Sequence, residues 1–414
     1  MKNEPKTSGT SISQEYAKVS YYSMIEEAFS KLNIYCLHQN YHGWDLFDGL
    51  NSELFQRLPL KRSKLLQLAW IQFFKRSPIN FRSTVRVPKG YNAKGLGLFT
   101  SGMAVLDRLE EARKFLELLI GMTCEGYSGV SWGYNFPWRA RSFYVPVGKP
   151  NMVTTVFVAN AFLDFADKVD SKDLGTLSAD RCREIAVSCC EFILNQLVIF
   201  EDSESLCFGY IPGEVTRVYN ASMLGAALLG RVFGLTGNVI YYEKSSKAIN
   251  YVIRALNPEY SWPYGERSHH TFIDNFHTGF NIVALRDWMV HTGDHRWEED
   301  LKRSYSFYLN NFWLTDGCPK YYNTSLYPLD IHCSAQGIIT CLKLKNYDDH
   351  SIQHAEKVAL WAINHMQSPE GFFYYQKTRL YTNRISYIRW SQAWMFYALA
   401  HYLAHSIGCT DHDA

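Results

Sequence analysis

The chain alternates between two kinds of helical pattern. The first is amphipathic, with apolar residues at three- and four-residue steps. It recurs as KRSKLLQLAWIQFFKR (61–76), LEEARKFLELLIGM (109–122), SADRCREIAVSCCEFILNQL (178–197), NVIYYEKSSKAINYVIRAL (238–256), RWEEDLKRSYSFYLNNFW (296–313) and HSIQHAEKVALWAINHM (350–366). The second is apolar nearly all round and rich in Gly, Ala and Ser, over 95–109, 151–167, 220–237, 275–293, 331–344 and 391–405. A one-sided apolar stripe needs one covering surface, whereas a helix apolar all round must be surrounded. The second set therefore predicts inner helices and the first their outer partners. Landmarks Leu96, Met152, Asn220, Phe276, Ile331 and Trp390 lie 55 to 68 residues apart. No single pair can bury its own apolar face, so such a recurrence predicts neighbours packed side by side. The expected fold is all-α, an (α/α)6 toroid of six helical hairpins whose inner helices start at one mouth.

Outside the repeat, residues 1–18 read as a disordered tail and 19–38 as an amphipathic helix capping the ring. Residues 19–410 read as one domain. A Gly- and Asp-rich turn, YHGWDLFDGLNSELF, covers 41–55. The loops leading into the inner helices carry a weaker aromatic repeat: Trp132-Gly133-Tyr134, Phe208-Gly209-Tyr210, Trp262-Pro263-Tyr264-Gly265, Pro319-Lys320-Tyr321-Tyr322 and Gly371-Phe372-Phe373-Tyr374. Alternating aromatics after Gly or Pro predict short β-hairpins at the mouth. Two inner helices end in Thr-Gly (Thr236-Gly237, Thr292-Gly293), a left-handed stop.

Composition narrows the chemistry. A net charge of +2 gives no sign of a nucleic-acid partner. Aromatic residues reach 15%, more than a core needs, and in a cleft they are platforms for sugar rings. The ten cysteines are scattered without a CxxC pair. The polar N-terminus has no apolar signal segment and no run is long enough to span a bilayer, so the expected location is the cytoplasm. Walker A, GxGxxG and GxSxG motifs are absent, which removes support for nucleotide, dinucleotide and serine-hydrolase chemistry.

Converging inner-helix starts aim free N–H groups and positive dipole ends into the mouth. The residues there are polar: Asn92, Lys94, Asn151, Tyr219, Asn220, Asp274, Asn275, His277, Asp330, His332, Arg389 and Trp390. Asn220, Asp274 and Asp330 serve equally as N-caps, but capping does not call for His277, His332 and Arg389 beside them. The densest stretch, 261–280, also holds Glu266, Arg267, His269 and His270. It lacks HExxH or paired His at helical spacing, so neither metal nor cofactor is expected. Paired carboxyl groups suit glycoside cleavage, with Glu214, Glu266, Asp274 and Asp330 as candidates and Asp45 and Asp48 folding over from the turn. Epimerisation or elimination would instead use His277, His332 or Tyr219 as proton carriers, with Arg389 holding a carbonyl or carboxylate.

The segments YIPGEVTRVYNASMLGAALL, SWPYGERSHHTFIDNFHTGFN, KYYNTSLYPLDIHCSAQG and IRWSQAWMFYALAHYL resemble a bacterial family encoded in surface-polysaccharide gene clusters. That family is similar to the polysaccharide-biosynthesis protein VpsJ and belongs by fold with the six-hairpin glycosidase-like toroids. The resemblance covers roughly residues 35 to 405. Such toroids include unsaturated-glucuronyl hydrolases, N-acylglucosamine 2-epimerases, uronate lyases and glucuronyl C5-epimerases. It therefore implies a saccharide or glycan in the mouth and not one reaction. The leading expectation is a glycoside hydrolase with Asp274 and Glu266 or Asp330 as the acid/base pair. In that reading His277, His332, Tyr219, Asn220 and Arg389 orient substrate, and Trp132, Tyr134, Trp262, Tyr264 and Trp390 stack on sugar rings. The alternatives are a cofactor-free epimerase or lyase using His277 and His332, and a non-catalytic glycan-binding or scaffold protein.

Overall fold

A computed structural model describes residues 9–140, 143–169 and 177–408. Helices α1 (Gly9–His38), α2 (Glu53–Arg57) and α3 (Lys64–Arg76) precede a strict alternation of inner and outer helices. The inner helices are α4 (Ala93–Val105), α6 (Met152–Val169), α8 (Tyr219–Thr236), α10 (Asn275–Thr292), α12 (Ile331–Lys343) and α14 (Trp394–Ser406). Between them run α5 (Leu109–Ile120), α7 (Ala179–Gln196), α9 (Val239–Ile253), α11 (Glu298–Asn311) and α13 (Ser351–Met366). Each inner helix packs on the next, and α14 packs back on α4, which closes the (α/α)6 toroid.

Burial follows the two sequence patterns. Every residue of α4 from Ala93 to Ala104 is buried. On α5 burial is confined to the stripe Leu109, Ala112, Phe115, Leu116 and Leu119. Small residues on inner helices permit close approach: a Cβ on Gly97 would sit 3.2 Å from the Phe157 carbonyl oxygen. Gly237 and Gly293, at φ 68° and 70°, end α8 and α10 as the Thr-Gly pairs predict. No described helix is long and apolar enough to cross a membrane.

Two helices exchange the roles expected of them. The 61–76 helix, expected as an outer partner, is α3. It packs on the turn at Asp48–Asn51 and on Trp138–Arg139 rather than along an inner helix, and Leu65, Leu66 and Phe73 stay exposed. Helix α1, expected as a cap over 19–38, packs on α13 and α14 as the sixth outer helix. It buries Ile25, Phe29, Leu32 and Cys36 there. An amphipathic stripe demands a covering surface without saying which one, so the two were indistinguishable by period. The α1 backbone is helical over 9–18, part of the expected tail; residues 1–8 lie outside the described residues.

The mouth carries short antiparallel strands. They are β1 (Trp138–Arg139) with β2 (Tyr144–Val145), β3 (Val198–Glu201) with β4 (Leu206–Phe208), and β5 (Leu329–Asp330), β6 (Gln376–Lys377) and β7 (Thr382–Asn383) in order. Residues between α1 and α4 strap across this end, through bridges from Gly43 to Gly90 and Trp44 to Tyr387. Deeper along the axis, Phe157, Phe280 and Trp394 pack on one another with ring centroids 5.2–5.8 Å apart. They form a floor to the mouth.

Candidate functional site

Asp274 is the N-cap of α10. Its extended backbone (φ −118°, ψ 161°) lets Oδ1 accept the His277 backbone N–H at 2.9 Å. The His277 ring folds back so that Nδ1 meets Asp274 Oδ2 at 2.7 Å. A carboxylate against Nδ1 fixes the proton there and leaves the Nε2 lone pair on the far side. The His277 side chain is 22% exposed, and Nε2 has no hydrogen bond among the described residues. A small cavity of about 10 Å³ adjoins it, bounded by Asn220, Trp262, Tyr264, Asp274, His277 and Asn281. That is room for about one water or one ligand hydroxyl. The buried Oδ1 atoms of Asn220 and Asn281 make no hydrogen bond, so two unspent acceptors stand by the imidazole.

Asp330 caps α12. Its Oδ1 accepts the His332 N–H and Trp390 Nε1–H, both at 3.0 Å, and Oδ2 accepts Gln376 Nε2–H at 3.0 Å. Burial nevertheless raises its pKa to about 6, against the pull of those donors and of Lys75. His332 lies in an aromatic box, with Phe276, Trp390 and Trp394 centroids at 4.5–4.6 Å. Neither ring nitrogen is bonded. Burial, then Lys94 and Arg389, hold it well below the usual histidine range, so it is a neutral imidazole. His277 also packs on Phe276, at 4.2 Å, so the two imidazoles share one ring as neighbour.

Three basic side chains complete the cluster. Arg389 stands in the π-helical turn Ile388–Ala393 that opens α14, a local widening common at functional sites. It forms a two-pronged pair with Asp45 from the N-terminal turn, and its guanidinium lies over Tyr134. Lys94 is buried with Nζ 4.2–5.3 Å from the Phe157, Phe280 and Trp394 rings. Burial and Arg389 push its pKa well below the lysine range, opposed by Asp45. Lys75, from α3, has its pKa lowered by burial and partly restored by Asp330 and Asp274.

The fold thus brings together Asp274, His277, Asp330, His332, Arg389 and Trp390, with Asn220, Trp262, Tyr264 and Tyr134 around them. Three expected residues are elsewhere. Glu266 receives the Tyr251 hydroxyl at 2.6 Å and pairs with Arg217 at 3.4 Å in a half-exposed cluster. Tyr219 packs beside Tyr251. Trp132, expected as a sugar platform, is wholly buried: Nε1 donates to the Leu119 carbonyl and the ring stacks on Phe162. Asp48, which folds over as expected, is held by Arg82 at 2.7 Å. Among the described residues no three His, Cys, Asp or Glu side chains converge as a metal cage. Sequence reading missed Lys75, Asn281 and Gln376. A polar residue four positions past His277 on an otherwise apolar helix was the one available signal, for Asn281.

No protein-family profile matches the chain, and comparison with curated proteins finds no match. Solved structures share its fold. A sugar epimerase from a ruminal bacterium and the cellobiose 2-epimerase of Bacillus thermoamylovorans each superpose with TM-score 0.58 at 11% identity, over 76% of this chain and 86% of theirs. The GH76 α-mannanase of Bacteroides thetaiotaomicron superposes with TM-score 0.53 at 13% identity, over 75% and 85%. These are six-hairpin glycosidase-like toroids. At such identities the likeness establishes the architecture and leaves the reaction to the side chains.

Proposed function

We propose that the chain is a cofactor-free sugar epimerase or isomerase whose proton carrier is His277. The observation that carries this reading is that His277 engages both Asp274 oxygens, one through its backbone N–H and one through Nδ1. A carboxylate held in that way orients an imidazole and is poorly placed to protonate a leaving group. Asp330 is taken by three donors, and Glu266 stands apart with Arg217 and Tyr251. Hydrolysis by two available carboxyl groups finds less support in these side chains. Similar folds carry epimerases, an isomerase and hydrolases, which favours a saccharide substrate without choosing the reaction. The sequence resemblance to surface-polysaccharide cluster proteins supports a role in cytoplasmic glycan synthesis.

In an open-chain aldose the hydrogen on carbon 2 is acidified by the neighbouring carbonyl. His277 Nε2 takes that proton, and the electron pair moves onto oxygen as an enediolate. Cationic Arg389, with Lys75 near the two aspartates, offsets the new negative charge. Asn220 and Asn281 accept from sugar hydroxyls. Return of the proton to carbon 1, with the O2 hydroxyl proton passing to O1, gives the ketose; delivery to the opposite face of carbon 2 gives the epimer. The second outcome needs a second carrier, for which His332 is the candidate, yet its nitrogens are enclosed by rings. One-carrier isomerisation is therefore the simpler chemistry for this geometry.

The test is incubation with aldohexoses and their disaccharides in heavy water, read by proton NMR. Loss of the carbon 2 signal, abolished by His277→Ala, is expected. Glycoside cleavage that persists in His277→Ala, without deuterium uptake, overturns the reading. Unchanged glycan affinity in Asp274→Ala/His277→Ala/His332→Ala, with no turnover by the parent, favours a binding module.

A further inference from the structure

The strap that crosses the mouth is charged in one sense only. Residues 54–90 hold nine Lys and Arg and no Asp or Glu, in a chain of net charge +2, so the rest of the chain is net acidic. Two of the nine point inward. Arg82 binds Asp48 at 2.7 Å, and Lys75 Nζ lies 5.3 Å from the Phe47 ring centroid. Phe47 in turn meets Trp390 with centroids 5.6 Å apart, so the inner side of α3 stands over the mouth. Arg57, Lys61, Arg62, Lys64 and Arg76 are exposed. Among the described residues none of these five has a carboxylate at ion-pair distance, whereas Arg86 has Glu53 at 3.8 Å.

The outward face of the same segment is apolar. On α3, Ile71 and Phe74 are buried, and Trp70 Nε1 donates to the Gly49 carbonyl at 2.8 Å. At 3.6 residues per turn, Leu65, Leu66, Ala69, Phe73 and Arg76 fall within an arc of about 100° on the opposite side. All five are exposed. Leu65 keeps 77% of its surface, and Ile79, just past the helix, 61%. Leu54 and Leu58, four residues apart on α2 and its cap, are exposed as well. Outer helices elsewhere spend their exposed positions on paired charges. Arg113 pairs with Glu110 and Glu117 on α5, and Lys302 and Arg303 pair with Glu298 and Glu299 on α11. Helix α3 shows apolar side chains and unpaired cations instead. An apolar patch of that kind marks an interaction surface rather than a solvated face.

We propose that this outward face is a peripheral docking surface for a membrane containing anionic lipid. The cations meet headgroup phosphates, and Leu65, Phe73 and Ile79 enter the boundary between headgroups and acyl chains. Helix α3 has 13 residues, too few to cross a bilayer, and lies along its surface. A nucleic acid would engage the cations and leave the aliphatic side chains without partners. A second copy placed face to face would oppose like charges. An anionic bilayer satisfies both sets. Docked in this way, the protein holds its mouth beside the headgroup layer, with the strap between them. The inference does not rest on which reaction the mouth performs.

The experiment is flotation of the full-length protein with phosphatidylcholine vesicles, with and without about 30% phosphatidylglycerol. The protein should float with the anionic vesicles and stay behind with the neutral ones. The bound fraction should fall as NaCl rises from about 0.05 to 0.5 M. Each cation near an anionic surface is worth about fivefold in binding, so Lys61→Gln/Arg62→Gln/Lys64→Gln should weaken partitioning at least tenfold. Leu65→Gln/Ile79→Gln removes apolar contacts and no charge, and should weaken it at least fivefold. Leu235→Gln, an exposed leucine in the last turn of α8, should change nothing. These sites are exposed, so melting temperatures should match the parent. Lys64→Glu alone gives the same reading if the triple variant fails to fold. Equal binding to neutral vesicles, no binding at about 5 mM lipid, or full binding by Leu65→Gln/Ile79→Gln each overturns the proposal. Binding of single-stranded RNA without vesicle binding also overturns it and assigns the patch to nucleic acid.

Discussion

Asp45 and Arg389 meet in a buried two-pronged ion pair, Nε to Oδ2 at 2.7 Å and Nη2 to Oδ1 at 2.8 Å, across 344 residues of sequence. It fastens the N-terminal turn to the π-helical start of the sixth inner helix. Asp45→Asn leaves a guanidinium buried without its counter-charge and should cost about 3–5 kcal/mol. Replacing both partners, Asp45→Leu with Arg389→Met, should recover more than half of that loss. Urea denaturation of the two variants and the parent measures both effects.

Asp274→Asn separates capping from catalysis. Asparagine caps as well as aspartate, so stability should change by less than about 1 kcal/mol. With its oxygen on the His277 backbone N–H, the amide N–H must face Nδ1 and move the ring proton to Nε2. Nitrogen-15 shifts of His277 should report the tautomer change, and deuterium uptake into substrate should fall about 10²–10⁴-fold.

Asp330 gives a signed pH dependence. Its folded pKa is raised to about 6, chiefly by burial, above an unfolded value of about 3.9. The folded state then binds the proton more tightly, so the stabilisation is fully present below about pH 4 and is lost as pH rises through about 6. The loss across that window is about 3 kcal/mol. Asp330→Asn, which cannot titrate, should flatten this part of a plot of denaturation midpoint against pH. A slope unchanged by the substitution would refute the assignment.

Lys94 makes the opposite prediction. Its folded pKa lies well below the unfolded one, so the unfolded chain holds the proton more tightly and stability should rise with pH between the two values. Lys94→Met keeps the length of the side chain without the charge. It should stabilise the protein at neutral pH by about 1–3 kcal/mol, as replacing buried ionic groups often does. Thermal melts across pH 6 to 10 check both the gain and the vanished slope.

Trp132 tests a correction to the sequence reading. As a buried core residue it should cost about 3–5 kcal/mol on truncation to Ala. The milder Trp132→Phe should lower the melting temperature with no change in KM. Trp390→Phe, which removes a hydrogen bond to Asp330 at the mouth, should alter turnover instead. An increased KM in Trp132→Phe would restore its assignment as a platform.

The ring was legible because its signal is redundant. Gly, Ala and apolar residues saturate every inner helix, and each repeat confirms the last. Asp274, His277, Asp330 and His332 were legible as polar residues where apolar helices begin. What escaped depends on tertiary neighbours. Trp132 and Trp390 look alike in sequence, yet one faces Phe162 and the other Asp330. Glu266 lies only eight positions before Asp274, but the loop between them delivers it to Arg217. Lys75 became visible only once α3 was seen above the mouth, since period alone could not separate a strap helix from an outer one.

The sixth hairpin joins α14 to α1, one of the last described elements to one of the first. A nascent chain therefore exposes the Ile25, Phe29 and Leu32 stripe long before its covering surface exists. At about 5–20 residues per second the wait is on the order of tens of seconds. Ring closure is thus a late, non-local event, and the mouth cannot assemble before it because Arg389 and Trp390 arrive with the same helix. Chaperone dependence should track the apolarity of the α1 stripe, and a circular permutant that synthesises α1 directly after α14 should shed that dependence.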